Sequence, residues 1–311
     1  MKIVDPSFIV LDEFDRESLA VRIEYCGRIC YKSEDKIDKD SAVPFVGKMA
    51  EHGHNSVLEM GVVTLRVSCT TSELIDELFR CQPKYLQIDE TEANTLLITG
   101  SVRAYREMQI FHPEAAIATA MTAFLAERHP YFFSTIIPDS GLRPDPAISV
   151  AKVELDQVDK LKPKLLTKHR HIAVKFIVNR AVTHEIVRHR PCSFLQESQR
   201  YCRYSDDKFG SEVTFIKPMF YKEGSEEFKI WQKAMEETEK MYLQLLKTST
   251  PQAARTVLPN SCRTELIVYA NLTEWQHIFS LRTTKAAEPS MREVMIPLQE
   301  DFKVRFLEIF A

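Results

Sequence analysis

The most informative segment of the chain is Arg188-His189-Arg190-Pro191-Cys192-Ser193-Phe194-Leu195-Gln196-Glu197-Ser198-Gln199-Arg200-Tyr201. An arginine side chain is a planar fork of donors that stays charged at every accessible pH, so it can hold phosphate oxygens bidentately. Three such forks lie on this one short segment, together with a histidine, two serines and a carboxylate. The segment therefore predicts a binding surface for a phosphorylated ligand that carries a polar ring.

The residues just before this segment predict a short helix. Residues 181–187 read Ala-Val-Thr-His-Glu-Ile-Val, and either Asn179 or Thr183 is suited to cap their amino end. Glu185 and Arg188 are three residues apart and would share one face of the helix. The predicted helix thus leads directly into the arginine-rich segment.

The charge cluster has two other interpretations. One is a solvated face held together by ion pairs. The other is a nucleic-acid-binding patch, because Arg203 and Tyr204 repeat the pairing of Arg200 and Tyr201. The chain carries 41 basic and 44 acidic residues, a net charge of −3 and a pI near 6.3. This balance gives little attraction for a polyanion, so a confined pocket for a small anionic nucleotide fits better.

The spacing of the segment, Arg-His-Arg, seven residues, a serine and then Gln-Arg-Tyr, resembles the signature of the flavin-dependent thymidylate synthases. Three further stretches are similar to elements of that family and follow its order along the chain. They are His-Gly-His-Asn-Ser-Val-Leu-Glu at 52–59, Ala-Arg-Thr-Val-Leu-Pro at 254–259, and Asn-Leu-Thr-Glu-Trp-Gln-His-Ile-Phe-Ser-Leu-Arg at 271–282, with Lys-Ala-Ala-Glu-Pro at 285–289. Taken alone, His54 would be a histidine beside a helix-ending glycine, and Arg255 a surface arginine near a proline stop.

The resemblance implies an α+β fold with helices around a small, antiparallel-rich sheet. It also implies an enzyme that methylates dUMP to dTMP, with methylenetetrahydrofolate as carbon donor and with FAD that NADPH reduces. The protein would hold flavin, nucleotide and folate in reacting geometry and leave the redox chemistry to the cofactor. Members of the family are homotetramers with sites shared between subunits, so we expect an oligomer. No metal is expected.

The same resemblance assigns the site residues. It places Arg282 at the uracil, where a cation favours ionisation at N3, and Ser198 beside the pyrimidine as a polar contact. These two are the predicted catalytic residues. The predicted dUMP-binding residues are Glu185, Arg188, Gln196, Glu197, Ser198, Gln199, Arg200, Arg255 and Arg282. The predicted FAD-binding residues are His54, Ser56, Glu59, Arg188, His189, Arg190, Gln196, Asn271 and His277.

The chain departs from the family pattern in two places. Thr273 stands where members commonly carry an arginine that contacts the flavin. Residues 71–168 separate elements that lie close together in compact members, so we interpret the chain as one domain, 1–311, with a probable insertion at 71–168. Residues 97–107 of that insertion, Leu-Ile-Thr-Gly-Ser-Val-Arg-Ala-Tyr-Arg-Glu, resemble a form of the third element. Arg103 is therefore a candidate to supply the missing cation, with a chance match on a helical surface as the alternative.

Hydrophobic periodicity predicts the surrounding elements. Apolar side chains recur at every second position in residues 63–69 and in residues 172–178. This period indicates half-buried strands that could pair with each other and bracket the insertion. Helices are predicted from Ser41 to Gly53, from 113 to 128, from 228 to 245, and from 291 to 310 with an interruption at Pro297. Residues 138–146 predict a loop, either a lid or a plain connector.

The composition is that of a globular protein, with 44% hydrophobic and 27% charged residues. No membrane span or signal peptide is evident, and the seven cysteines form no paired Cys-x-x-Cys spacing, so we expect reduced thiols and a cytosolic protein.

Two rival functions stay open. One is a non-catalytic nucleotide- or RNA-binding protein that kept the fold after losing flavin, and the other is a flavin-dependent methylase of uracil in a different nucleotide.

Overall fold

A computed structural model describes residues 1–206 and 210–310 of the chain. The elements of the first part are β1 Lys2–Val4, β2 Ser7–Val10, α1 Leu19–Ile29, α2 Ala42–Glu51, α3 Asn55–Leu58, β3 Val62–Cys69, α4 Ser72–Arg80, β4 Leu86–Glu92, β5 Thr95–Ser101, α5 Val102–Phe111, α6 Ala116–Arg128 and α7 Pro130–Phe133.

The second part begins with the loop that contains residues 138–146. Its elements are β6 Ile148–Val153, α8 Leu155–Val158, α9 Pro163–His169, β7 His171–Asn179, α10 Arg180–Ile186, β8 Ser193–Gln196, β9 Thr214–Ile216, α11 Glu226–Leu245, α12 Pro251–Ala254, β10 Arg263–Asn271, α13 Leu272–Arg282, α14 Pro289–Arg305 and α15 Leu307–Phe310.

The strands form two four-stranded sheets and one small ribbon. One sheet has the order β4-β5-β3-β6 and the other the order β8-β10-β7-β2, and every neighbouring pair in both is antiparallel. The ribbon joins β1 and β9 in parallel. The α+β class and the antiparallel pairing expected from the sequence are confirmed, although the strands are divided between two sheets.

The two large sheets are copies of one topology. In each, a strand is followed by a short helix (β3 and α4, or β7 and α10), and a later strand in the centre of the sheet is followed by a longer helix (β5 and α5, or β10 and α13). We call residues 7–128 repeat 1 and residues 148–305 repeat 2. The helix that follows the first strand ends in related sequence in both, with Glu-Leu-Phe-Arg-Cys-Gln-Pro at 77–83 and Glu-Ile-Val-Arg-His-Arg-Pro at 185–191.

Each repeat donates its first strand to the sheet of the other. Strand β2 opens repeat 1 but pairs with β7, and β6 opens repeat 2 but pairs with β3. The register matches too, since Ser7 lies opposite Ile177 and Ile148 lies opposite Cys69 at the corresponding strand ends. The exchange ties the two sheets together through main-chain hydrogen bonds, so neither sheet is complete without the other repeat.

A buried charge network reinforces this exchange. The guanidinium of Arg170, which is 2% exposed, lies 2.8 Å from a carboxylate oxygen of Asp15 and 2.8 Å from one of Asp159, and it also contacts Asp12. Burial raises the pKa of Asp15, and the nearby cations Arg170 and Arg22 oppose that rise. A buried arginine that lost these partners would be strongly destabilising, so the network holds the two repeats in one arrangement.

Equivalent aromatic residues anchor the two longer helices. Tyr105 in α5 donates its hydroxyl to the carbonyl of Val63 at 3.1 Å, and Trp275 in α13 donates its indole N–H to the carbonyl of Ile172 at 3.0 Å. Both aromatic side chains are fully buried. The helices also begin alike, because the side chains of Ser101 and Asn271 accept hydrogen bonds from backbone N–H groups three residues on.

Several local predictions are confirmed. Residues 62–69 and 171–179 are strands, and the helix before the arginine-rich segment is capped by Asn179, whose side-chain oxygen accepts from the backbone N–H of Val182 at 2.9 Å. Helix α2 ends before Gly53, which has a φ of +69°. Glycine is favoured there because a Cβ is disfavoured in this left-handed region.

Two predictions are wrong. Strands β3 and β7 do not pair but occupy the centres of different sheets, so the alternation of apolar residues identified the strands without identifying their partners. Helix α14 runs through Pro297 and ends at Arg305. Pro297 lies on the exposed face of the helix, as does Glu293, whose carbonyl loses its helical hydrogen bond there. Buried Met295, Leu298 and Phe302 keep the helix packed.

The boundary of the insertion, 71–168, stays a prediction. Its strands β4, β5 and β6 pair with β3, which lies before it, or with one another. Five of the seven cysteines are buried. Among the described residues, none of the helices has the length and apolar character needed to cross a membrane.

Candidate active site

Arg282 joins the end of α13 to the arginine-rich segment. Its Nη1 lies 2.8 Å from a carboxylate oxygen of Glu185, its Nη2 donates to the Glu185 carbonyl at 3.0 Å, and its Nε donates to Nε2 of His189 at 3.0 Å. Three of the predicted site residues, far apart in the sequence, therefore converge. The arginine is held on three of its nitrogens, which fixes the plane of its guanidinium.

His189 is neutral in this arrangement. It is 5% exposed, and burial together with the charge of Arg282 and the neighbouring His277 lowers its pKa to about 4. Because Nε2 accepts a hydrogen bond from Arg282, the proton of the neutral ring resides on Nδ1. That nitrogen lies 3.5 Å from a carboxylate oxygen of Glu274, whose pKa is raised by burial.

The rings of His189 and His277 are 5.6 Å apart, and with Glu274 they offer three ligand atoms within 4.8 Å of one another. These are metal-ligand types, but one nitrogen of His189 already accepts from an arginine that carries a positive charge. A cation placed there would face that charge. The group is better explained as an orienting network around Arg282 than as a metal centre.

A cleft of about 410 Å³ opens between the two repeats. It is lined by Arg190 and Asn271 from repeat 2 and by Glu59, Ser101 and Arg103 from repeat 1. Arg103 is held by two carboxylates, with its Nη1 2.6 Å from Glu59 and its Nε 2.6 Å from Glu107. Four residues named from the sequence as flavin contacts or as a candidate cation thus surround one cavity, whose size is within the usual range for small-molecule sites.

His171 also lines this cleft and was not identified from the sequence. Burial lowers its pKa to about 4, so its imidazole is neutral near pH 7. Its ring packs edge-on against Tyr269 at 5.8 Å, and the Tyr269 hydroxyl donates to Asp15 at 3.2 Å. A single histidine at the start of a strand carries no functional signal in the sequence. Its place in the cleft depends on the packing of repeat 1 against repeat 2, which the sequence does not show.

Ser198, Arg200 and Arg255 belong to a second surface. The Ser198 hydroxyl accepts from the backbone N–H of Arg200 at 3.3 Å, and the Arg200 side chain donates to Gln252, one turn before Arg255, at 3.3 Å. Tyr201 packs on Tyr31 with ring centroids 5.3 Å apart. This surface carries two arginines and two partly exposed aromatic rings, a combination suited to a phosphate and a planar ring.

His54 reaches the same surface, since its Nδ1 lies 3.4 Å from the Tyr31 hydroxyl. Tyr31 lies well outside the quoted motifs, and the only sequence signal for it is that it follows an apolar helix face. Arg188 and Ser56 are exposed, and within residues 1–206 and 210–310 neither side chain has a hydrogen bond or ion pair.

Glu197 is buried, and Gln196 is partly buried. The Glu197 carboxylate accepts from the Tyr204 hydroxyl at 2.6 Å and lies 3.1 Å from Arg263, and burial raises its pKa. Gln196 donates to the hydroxyl of Thr183 at 3.0 Å. Gln199 is 9% exposed, with a buried amide nitrogen that lacks a partner in the described part of the chain. These three residues, which the sequence predicts as dUMP contacts, are therefore partly or fully buried within the protein.

Comparisons with known proteins identify the family of the chain. A family model described as "Thymidylate synthase complementing protein" matches residues 154–306, nearly the whole of repeat 2. The flavin-dependent thymidylate synthase of Pyrococcus abyssi is 34% identical over 166 residues, which is 50% of this chain and 67% of that protein. The flavin-dependent thymidylate synthase of Corynebacterium efficiens is 26% identical over 219 residues, 65% of this chain and 85% of that protein.

One solved structure, a UMP/dUMP methylase PolB from Streptomyces cacaoi bound with 5-Br dUMP, covers 98% of this chain and 93% of its own with 13% identity and a TM-score of 0.40. That likeness is too low to support an argument.

The sequence matches, the α+β fold and the arginine-rich site together define a flavin-dependent enzyme. The chain belongs to the flavin-dependent thymidylate synthase family.

Proposed function

We propose that this protein methylates dUMP to dTMP, with methylenetetrahydrofolate as the carbon donor and with FAD that NADPH reduces. The observation that carries the proposal is the fixed position of Arg282, which Glu185 in α10 and His189 in the arginine-rich segment hold in place. A rigid cation next to a uracil ring stabilises the anion formed at N3, and it needs no rearrangement during the reaction. In this proposal Arg282 is the principal catalytic residue.

The remaining residues bind and orient the ligands. Ser198, Arg200 and Arg255 of the second surface hold the nucleotide, with the arginines on its phosphate and the Ser198 hydroxyl beside the pyrimidine. A site shared between subunits would bring this surface of one chain to Arg282 of another. Arg188, which is exposed, completes the cationic surface. Neutral His189 orients Arg282 and does not add a second charge. Glu185 offsets the charge of Arg282 before substrate binds, which makes the guanidinium less costly to hold in a partly buried position.

The residues around the cleft between the repeats fit a flavin. The cavity is large enough for the phosphate-bearing portion of a dinucleotide, and Arg190 lines it without an ion-pair partner among the described residues. Asn271 and Glu59 also line the cleft. The other residues that we assign to the flavin do not line it: His54 lies beside Tyr31, His277 lies beside His189, and Ser56 is exposed. When bound, the flavin supplies the hydride that completes the methyl group. We also propose self-association into a homotetramer with shared sites.

The test is dTMP formation from dUMP with methylenetetrahydrofolate, FAD and NADPH, each omitted in turn. The proposal predicts product only when all four are present, and loss of product in Arg282→Gln. UMP is offered in a parallel arm, since preference for UMP would favour methylation of a different nucleotide. Folded wild-type protein that binds dUMP but forms no product with all four would contradict the proposal and favour a binding role.

A further inference from the structure

Matched residues of the two repeats face each other across the cleft. Ser101 and Asn271, the N-caps of α5 and α13, both line it. Thr99 and Tyr269 stand two residues before those caps in the central strands, and both line it as well. The cleft is therefore built from the same structural positions of each repeat. With identical repeats it would contain two equivalent sites.

The cations in the cleft break this equivalence. Arg190 of repeat 2 corresponds to Gln82 of repeat 1 in the aligned segments that end at Pro191 and Pro83. Arg103 stands two residues after the N-cap of α5, where repeat 2 has Thr273 after the N-cap of α13. Both arginines line the cleft, whereas the matching pair is neutral. One of the two potential sites has kept its cations and the other has lost both.

The contacts of Arg103 leave part of its guanidinium available. Its Nε and Nη1 are each 2.6 Å from a carboxylate, of Glu107 and Glu59, while Nη2 has no hydrogen-bond partner among the described residues. The side chain is 35% exposed. The two carboxylates offset its charge and restrict its rotation, so Arg103 acts as a positioned donor rather than as a free charge.

We propose that the cleft holds one phosphate-bearing ligand per chain, with its phosphates bound between Arg103 of repeat 1 and Arg190 of repeat 2. The position of Gln82 and Thr273 is a vestigial site that binds nothing. Repeat 1 then serves as a built-in partner, supplying from within the chain a binding residue that repeat 2 lacks. Resting on the proposed function, the inference further identifies the phosphates as those of the flavin dinucleotide.

The test measures ligand affinity without turnover, by titrating FAD, riboflavin and dUMP into purified protein. Arg103→Met removes the fork and keeps the aliphatic stem. We expect FAD to bind on the order of ten- to a hundredfold more weakly, the loss typical of a charge-assisted hydrogen bond. Riboflavin, which has no phosphate, and dUMP should keep their affinities within about threefold.

Matched variants control for indirect effects. Arg66→Met removes an exposed arginine from β3 outside the cleft, and Thr273→Ala alters the vestigial position, so both should bind FAD like wild type. Removing Arg103 leaves the negative charges of Glu59 and Glu107 without a cation between them, which could weaken the fold. Arg103→Lys therefore serves as a second variant that keeps the positive charge. It should still weaken FAD by at least about fivefold, because an ammonium lacks the bidentate fork.

Unchanged FAD affinity in both Arg103 variants would overturn the inference. An equal loss for riboflavin, or a loss for dUMP in place of FAD, would also overturn it, because the phosphates at Arg103 would then not be those of the flavin. Failure of the proposed function is a separate result, since wild-type protein without dTMP formation can still show a phosphate-specific FAD loss in Arg103→Met. If wild-type protein forms dTMP and both Arg103 variants bind FAD with unchanged affinity, the inference is contradicted while the proposed function stands.

Discussion

Repeat 1 and repeat 2 share a framework but differ in chemistry. Both place two antiparallel strands at the centre of a four-stranded sheet and anchor a capped helix through a buried aromatic donor. The network around Arg282 is present only in repeat 2. The repeats are aligned by matching Pro191 with Pro83 and the N-cap of α13 with the N-cap of α5. In this alignment each repeat 2 residue of the network has a different residue type in repeat 1: His189 matches Cys81, Glu274 matches Ala104, His277 matches Glu107, and Arg282 matches His112.

This difference separates what the fold requires from what the proposed reaction would require. Strand order, register and the buried aromatics are present in both repeats, so they are demands of packing. The histidines and Arg282 are present in one repeat, so the fold forms without them. Substitutions at matched positions should therefore have equal effects on stability and unequal effects on activity.

The largest effects should be equal in the two repeats. Tyr105→Ala and Trp275→Ala each remove a fully buried ring and its hydrogen bond, and each should lower the free energy of unfolding by about 3–5 kcal/mol. Urea unfolding of both variants measures this. Tyr105→Phe and Trp275→Phe are the milder controls. A loss below about 1 kcal/mol for Tyr105→Ala alone would mean that repeat 1 packs loosely.

The next effect should be confined to one repeat. Arg282→Ala removes the clamped cation and should reduce the rate of dTMP formation on the order of a hundred- to a thousandfold, the usual loss for one preorganised electrostatic group. His112→Ala at the matched position should leave the rate within about threefold. Steady-state assays at saturating dUMP make the comparison. Similar losses in both variants would show that repeat 1 takes part in the chemistry.

The smallest effect is a pH dependence of stability that arises at His189 and not at Cys81, the matched residue of repeat 1. The folded pKa of His189 is about 4, below its unfolded value of about 6.5, so only the unfolded chain takes up a proton between those values. Stability therefore falls as pH falls through that window, by about 2 kcal/mol for this residue between pH 7 and pH 5. Urea unfolding at both pH values should show a smaller loss in His189→Gln than in wild type. Cys81→Ser at the matched position should lose as much as wild type, and an identical loss in His189→Gln would refute this account.

Local signals in the sequence were sufficient for part of the fold. The helix over 180–186 with its Asn179 cap was predictable because a cap bonds to the next turn, and the strands were predictable from alternation. Strand partners were not, because the exchange of β2 and β6 joins residues far apart and leaves no mark on periodicity. The repeat was hidden because packing tolerates changes such as Trp275 to Tyr105, which leaves little identity to detect.

The positions of the candidate site residues were predictable only in part. Resemblance named Glu185, His189 and Arg282, and the structure brings them together. It also named Glu197, whose burial beside Tyr204 and Arg263 could not be read from a motif. Composition does not tell which polar residues of a loop point inward. The cleft itself depends on how two repeats meet, so the sequence alone could not show that Arg103 lines it.

The central claim is that two repeats form one working site per chain, and a single-turnover experiment tests it most directly. Protein loaded with FAD and reduced, then freed of excess reductant without oxygen, is mixed with saturating dUMP and methylenetetrahydrofolate, and dTMP is counted per chain. We predict one dTMP and one bound FAD per chain. Two of each would show that repeat 1 keeps a working site, and bound FAD with no dTMP would contradict the assigned reaction.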